Sequence, residues 1–261
     1  MRRYWIEKSQ IYNEQVVFKS EQYHHIFDVC RQTVGNHFEV ITEDSNAYLV
    51  EVLSVDKKQA TAKIIETRVI QQLKKPHIHI ALSVSRFPVM DSIVERAVEM
   101  GVSSIVPFYS EYSFIRKAQN MPAGKLERWN KIVISATQQC GRGELMKIQD
   151  PIDWTTLQKT INPSALKSIN PSGEKWCLFA YEGAGQLPLK NYVQTKKQQN
   201  NDAVDEIWII VGSEGGFSEA EVESMKNLGL DPVTLGSQVL RVETACLTLV
   251  SALKYEFSLL G

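Results

Sequence analysis

The sequence predicts an α/β protein in which a small β-barrel precedes a larger domain built on a mostly parallel sheet. Three observations carry this. Residues 1–73 hold short runs that alternate apolar and polar side chains between turn residues. From residue 74 onward, apolar runs alternate with segments of helical spacing, the order expected of parallel strands joined by crossover helices. Finally, two glycine-bearing loops at 211–217 and 235–245 each follow an apolar run near the end of the chain.

The runs 36–41, 47–53 and 59–65 read as half-buried strands, with turns at Asp44-Ser45-Asn46 and Asp56-Lys57-Lys58. Lys74-Lys75-Pro76 marks a junction, because proline and its predecessor favour extended chain. Residues 77–83 and 104–109 then read as strands, and 91–100 as a helix stopped by Gly101. A long amphipathic helix is predicted over 125–139, followed by strands at 176–181 and 206–211. Residues 161–175 and 186–205 are polar and read as loop. Asp231-Pro232 reads as a turn, 233–235 as a short strand, and 245–260 as a helix apolar on most faces, fit for a deep core or for a contact with a second copy.

The 261 residues suffice for one large domain or two smaller ones, and 43% hydrophobic with 23% charged residues is ordinary for a globular chain. The four cysteines, 30, 140, 177 and 246, show no C-x-x-C spacing, which argues against zinc and for reduced thiols in a cytoplasmic protein. No apolar run reaches membrane-spanning length, and no signal peptide follows Arg2-Arg3. A net charge of −1 gives no bulk attraction for nucleic acid, so any RNA surface must come from local clusters. Candidates are Arg2 and Arg3 with His24, His25 and Arg31, and Lys63, Arg68, Lys74 and Lys75 further on; each is equally readable as solvated surface charge.

The two late loops carry the functional signal. Gly212, Gly215 and Gly216 follow the strand 206–211 and precede Ser218, which forms a capping box with Glu221. Ligands of α/β sheets sit beyond the carboxyl ends of strands. In the second loop, Arg241, Glu243 and Thr244 crowd the start of the last helix, whose unpaired N–H groups suit polar ligand atoms. A tight turn without ligand, or a plain helix cap by Glu243 or Thr244, explains either loop alone. Two such loops in one α/β unit favour a shared pocket. The chain has no G-x-G-x-x-G opening a helix, no P-loop and no G-x-S-x-G elbow, which excludes the common nucleotide and hydrolase sites.

Gly212-Ser-Glu-Gly-Gly-Phe217 and Leu235-Gly-Ser-Gln-Val-Leu-Arg-Val-Glu-Thr-Ala245 resemble the G-P-E-G-G-F and L-G-x-R-I-L-R-x-E-T-A signatures of the RsmE family of SPOUT methyltransferases. The likeness extends along the chain. It takes in Met1-Arg-Arg-Tyr4, then His24-His25 with Arg31 and Gly35, then Glu127-Arg-Trp129 with Ala136, Gln139 and Arg142. Ser213 stands where the family usually has proline, Gln238 where it has arginine, and 85–101 follows the family's K-G-D-R-x-D…E-L-G segment only in part, keeping Asp91, Glu99 and Gly101.

The resemblance implies a PUA-like RNA-binding domain over 1–73 and a SPOUT methyltransferase domain with a trefoil knot over 74–261, assembled as a homodimer. It implies transfer of a methyl group from S-adenosylmethionine to N3 of a uridine in small-subunit (16S) ribosomal RNA, without a metal. The donor would lie against Glu182, Gly183, Val211, Gly212, Ser213, Glu214, Gly215, Gly216, Leu235, Gly236, Val239, Leu240, Thr244 and Ala245. Arg2, Arg3, His24, His25, Arg31 and Arg142 would face RNA. Arg241 cannot be a base, since guanidinium stays protonated, but it can stabilise the uracil anion or orient a phosphate. Glu243, Glu214 or bulk water remains open as the base. Two other functions fit the same fold: a non-catalytic RNA-binding assembly factor, and a SPOUT enzyme acting on transfer RNA.

Overall fold

The structure, a computed structural model, describes residues 1–162, 174–200 and 204–260. The described chain divides into two compact units, Met1–Gln72 with Ile134–Leu145, and Leu73–Val133 with Met146–Gly261.

The first unit carries a six-stranded sheet in the order β1-β4-β5-β6-β3-β2. Its strands are β1 (Arg3–Trp5), β2 (Ile11–Tyr12), β3 (Gln15–Lys19), β4 (His37–Ile41), β5 (Asn46–Val55) and β6 (Gln59–Val69). β1 runs parallel to β4, and the other neighbours are antiparallel. Asn13 and Glu14 join β2 to β3 with φ of 46° and 59°, the left-handed pair that suits a two-residue hairpin. A short helix α1 (Ser20–Tyr23) and a wider helical turn (His24–Val29) follow β3. Val16, Phe18, Phe38, Val40, Val50 and Ala62, the inward residues of the alternating strands, form the core of this unit with Phe27 of the helical turn.

The second unit is a seven-stranded sheet in the order β11-β13-β10-β12-β7-β8-β9 with every neighbouring pair parallel. The strands are β7 (His77–Ser83), β8 (Ser104–Phe108), β9 (Lys147–Ile148), β10 (Lys175–Ala180), β11 (Leu187–Pro188), β12 (Glu206–Val211) and β13 (Asp231–Thr234). Its helices are α2 (Phe87–Glu99), α4 (Trp154–Ile161), α5 (Leu189–Asn200), α6 (Glu219–Asn227) and α7 (Val242–Glu256), together with the part of α3 (Lys125–Cys140) up to Val133; from Ile134 onward α3 belongs to the first unit. Leu157 and Ile161 of α4 and Val222 and Met225 of α6 pack with Ala81, Val106, Phe179 and Ile210 of the sheet. α2 and α7 pack against each other, and α7 lies against β12. A parallel sheet covered on both faces explains why Ile207 to Val211 are buried one after another rather than alternately.

The expected strands and the long helix occur, with three corrections. The polar stretch 186–205 holds helix α5 where a loop was expected. Tyr192 and Val193 are its buried anchors, and the Tyr192 hydroxyl donates to the Cys177 carbonyl at 3.2 Å; so few apolar positions leave no periodic signal. Of the other expected loop, 163–173 lies outside the described residues, as do 201–203. Asp231-Pro232 opens β13 beside Leu178 and Phe179, and the turn falls earlier, at Gly229 with φ of 77°; proline is tolerated at a strand start. The last helix begins at Val242 and ends at Glu256. It buries a single stripe, Val242, Ala245, Cys246, Leu249, Val250 and Leu253, while Tyr255 is exposed.

Candidate functional site

β7 and β12 lie side by side, with Leu82 opposite Val211, and the chain leaves them toward opposite edges of the sheet. Such a reversal opens a crevice beyond the strand carboxyl ends. Four segments meet there: the start of α2, Tyr181-Glu182-Gly183 after β10, Gly212–Phe217 after β12, and Leu240–Ala245 entering α7.

They enclose two adjoining cavities of about 380 and 600 Å³, within the size range of small-molecule sites. The smaller has walls of Ala180, Tyr181, Gly183, Val211, Gly212, Phe217 and Ala245. The larger is walled by charged groups, with Arg86, Glu214, Arg241 and Glu243 around Val89 and Val239. Glu182, Ser213, Gly215, Gly216, Leu240 and Val242 line both.

The glycine loop is a tight, tied structure. The Gly216 N–H donates to the Ser213 carbonyl at 2.9 Å, and Gly216 has φ of 71°. A Cβ on Gly212 would stand 2.9 Å from the Gly216 carbonyl carbon, and one on Gly215 would stand 2.8 Å from the Tyr112 Cβ. The Ser213 hydroxyl donates to the Tyr112 carbonyl at 2.6 Å, so Ser213 holds its loop through a side-chain bond where a proline would restrict φ. Glu214 accepts from the Arg86 N–H at 3.2 Å. Ser218 and Glu221 form the expected capping box at the start of α6, and Glu221 also accepts from the Glu111 N–H at 2.8 Å.

Arg241 occupies the N-cap position of α7 without a side-chain capping bond. Glu243 sits in the first turn, half-buried, and neither it nor Thr244 caps the helix through its side chain. Leu235, Gly236 and Thr244 line neither cavity; Gly236 lies in a turn where the Thr234 hydroxyl donates to its carbonyl. Arg86, Val89 and Tyr181 line the cavities although their positions carried no expected role. The available signal was positional, since Arg86 lies three residues beyond the apolar strand β7 and is the N-cap of α2.

The candidate RNA residues fall in the first unit. Arg2 donates to the Cys30 carbonyl at 2.9 Å, and His25 packs edge-on to Tyr4 with its Nε2 3.8 Å from the Cys30 sulfur. Arg2, His24, His25 and Arg31 are exposed. Arg3 is committed to an ion pair with the buried Glu39 at 2.8 Å, shared with Arg68. The Arg142 side chain is 8% exposed and lies 3.9 Å from Glu144; burial lowers its pKa, and phosphate would reach it poorly. Among the described residues no three His, Cys, Asp or Glu side chains gather as a metal site, and no helix is long and apolar enough to cross a membrane.

Residues 72–254 match the family model of an RNA methyltransferase domain, and 18–65 match that of an RNA methyltransferase PUA domain. The chain belongs to the RNA methyltransferase family. Ribosomal RNA small subunit methyltransferase E of Buchnera aphidicola (Schizaphis graminum) is 28% identical over 93% of this chain and 92% of its own length. The protein of the same name from Mesomycoplasma hyopneumoniae is 30% identical over 78% of this chain and 79% of its own. The expected kinship to the RsmE family is borne out by these relatives. A Neisseria gonorrhoeae ribosomal RNA small subunit methyltransferase E, described as bound to S-adenosyl methionine, shares the fold with a TM-score of 0.79. It is 24% identical, and 98% of each chain is covered. The chain is therefore an RNA methyltransferase of the α/β class with a PUA-type N-terminal domain.

Proposed function

We propose that this RNA methyltransferase transfers the methyl group of S-adenosylmethionine to N3 of a uridine in small-subunit ribosomal RNA. One observation carries the proposal: a glycine-walled cavity adjoins, and shares wall residues with, a second cavity walled by Arg86, Arg241 and Glu243. The first suits a donor held by backbone, because Gly183, Gly212, Gly215 and Gly216 present main chain without side chains along its walls. The second suits an acceptor that becomes an anion. When bound, S-adenosylmethionine supplies an electrophilic methyl group on a positively charged sulfur.

The chain's own residues do the rest. Gly183, Gly212, Ser213, Gly215, Gly216 and Leu240 hold the donor, with Glu182 on the walls of both cavities. Alignment of donor and acceptor is the main demand of a displacement. The uracil N3 proton passes to Glu243, a carboxylate on the wall of the larger cavity two residues from Arg241. Charge then spread over uracil O2 and O4 is met by the Arg241 guanidinium, which keeps its proton and donates in a fixed fork.

Functionally, residues 1–73 bind RNA through Arg2, His24, His25 and Arg31, and residues 74–261 perform transfer. The working form is a cytoplasmic homodimer whose C-terminal segment threads a trefoil knot. The test is incubation of purified protein with radiolabelled donor and small-subunit particles lacking the modification, then mapping of the labelled base. N3-methyluridine is expected. Label on another base, or no donor binding by calorimetry, overturns the proposal.

A further inference from the structure

The segment after β8 has more structure than a connection needs. Ser83, Ser110 and Ser113 are all buried, and their hydroxyls bond to one another at 2.6, 2.8 and 3.0 Å. The Ser110 N–H donates to the Ser113 hydroxyl at 2.8 Å, and the Phe114 N–H to the Val84 carbonyl at 2.8 Å. Glu221 receives the Glu111 N–H, and the Ser213 hydroxyl reaches the Tyr112 carbonyl. The backbone of residues 110–114 is thus fixed at successive positions, while two aromatic side chains on it face solvent, Tyr112 at 44% and Phe114 at 51% exposure.

These rings border the site. The Tyr112 Cβ lies against Gly215, a wall of both cavities. Phe114 packs edge-on against Phe87 at 5.6 Å, and Phe87 directly follows Arg86 of the larger cavity. Lys125 holds its ammonium 3.8 Å above the Phe87 ring, and exposed Arg116 follows Phe114 by two residues. Aromatic faces interleaved with cations on a fixed backbone form a stacking platform for unpaired bases, with the cations placed for the phosphates between them. Ordering is already complete before a ligand arrives, which lowers the cost of binding.

We infer that Tyr112, Phe114 and Phe87, with Lys125 and Arg116, form the surface on which unpaired bases next to the methylated nucleotide stack. This rests on the proposed function for its substrate, an RNA strand that must present one nucleotide to the cavity. Stacking needs bases free of a duplex, so the surface selects single-stranded over paired RNA.

The test is fluorescence anisotropy with a short fluorescein-labelled oligouridine and with an RNA duplex of equal length. Full-length wild type is compared with Tyr112→Ala, Phe114→Ala and Phe114→Trp. Alanine keeps the Tyr112 carbonyl and Cβ, so the ties to Ser213 and Gly215 persist. Each alanine variant is expected to bind oligouridine about tenfold more weakly, and Phe114→Trp to bind like wild type. Duplex binding and calorimetric affinity for S-adenosylmethionine should stay within about twofold. Unchanged oligouridine binding in both alanine variants overturns the inference, as does an equal loss on the duplex. A changed oligomeric mass in sedimentation overturns it too, because a second copy would then cover the surface. Wild type that shows this stacking dependence yet leaves N3 of uridine unmethylated upholds the surface and refutes the proposed reaction.

Discussion

The Ser213 hydroxyl donates to the Tyr112 carbonyl oxygen at 2.6 Å, tying the glycine loop after β12 to the segment after β8. Ser213 is 5% exposed, so its loss leaves a carbonyl short of a partner in a poorly solvated place. Ser213→Ala should cost about 1 kcal/mol, and lower the melting temperature by about 2–4 °C. Donor affinity should fall with it, because the tie fixes the wall between the two cavities. Thermal melts and calorimetry check this; a variant that matches wild type in both refutes the structural role of the bond.

Gly212→Ala tests space rather than backbone conformation. Its Cβ would meet the carbonyl carbon, Cα and oxygen of Gly216 at 2.9 to 3.0 Å, and backbone cannot rotate away as a side chain can. The loop must open, at a cost of about 1–3 kcal/mol. Calorimetric binding of S-adenosylmethionine should fall below detection while circular dichroism stays native. Retained donor affinity would place the donor elsewhere.

The parallel sheet and the paired loops were legible because burial on both faces writes continuous apolar runs, as in Ile207 to Val211, and because glycines cluster where backbone must approach backbone. The family motif Glu127-Arg128-Trp129 was visible, but its purpose was not. Trp129 donates its indole N–H to Asp91 at 3.1 Å, and Arg128 bonds the other oxygen at 2.8 Å, so these residues join α3 to α2 rather than touch a substrate. Arg86 and Tyr112 escaped notice for another reason. Each reaches the site through backbone contacts made across more than 100 positions of sequence, and neither periodicity nor spacing records such pairings. Arg3 was legible as a cation but not as the partner of Glu39, which lies on a neighbouring strand.

His79 gives the second unit an acid limb. Burial pushes its pKa down to about 4, against the pull of Glu206 and with the help of His77, Lys175 and Lys147. The ring stacks on Trp208 at 4.8 Å and bonds the Ser104 hydroxyl at 2.7 Å. An unfolded histidine takes up its proton near pH 6.5, roughly the free-residue value, while the folded one resists until about 4. The unfolded state therefore binds more protons across that window. The stabilisation is complete above the upper bound and is lost as pH falls toward the lower one. Melting temperature should drop on acidification through this range, and the slope should shrink in His79→Phe, which keeps a ring against Trp208 but does not titrate. An identical slope in the variant would assign the acid limb to other groups.

Arg241 separates chemistry from binding. It is exposed at the N-cap of α7 and makes no side-chain capping bond, while its carbonyl accepts from the Ala245 N–H at 2.8 Å. Arg241→Ala thus leaves the helix start intact and removes only the guanidinium from the larger cavity. If that group meets charge developing on the uracil, turnover should fall by about 10²–10³, with donor affinity within about twofold of wild type. Arg241→Lys keeps the charge without the planar fork and should recover only part of the rate. Glu243→Gln should likewise lower turnover, by about 10²–10⁴, if Glu243 takes the N3 proton, with donor affinity again near wild type. Loss of donor binding in Arg241→Ala, or turnover close to wild type, would remove Arg241 from the acceptor side.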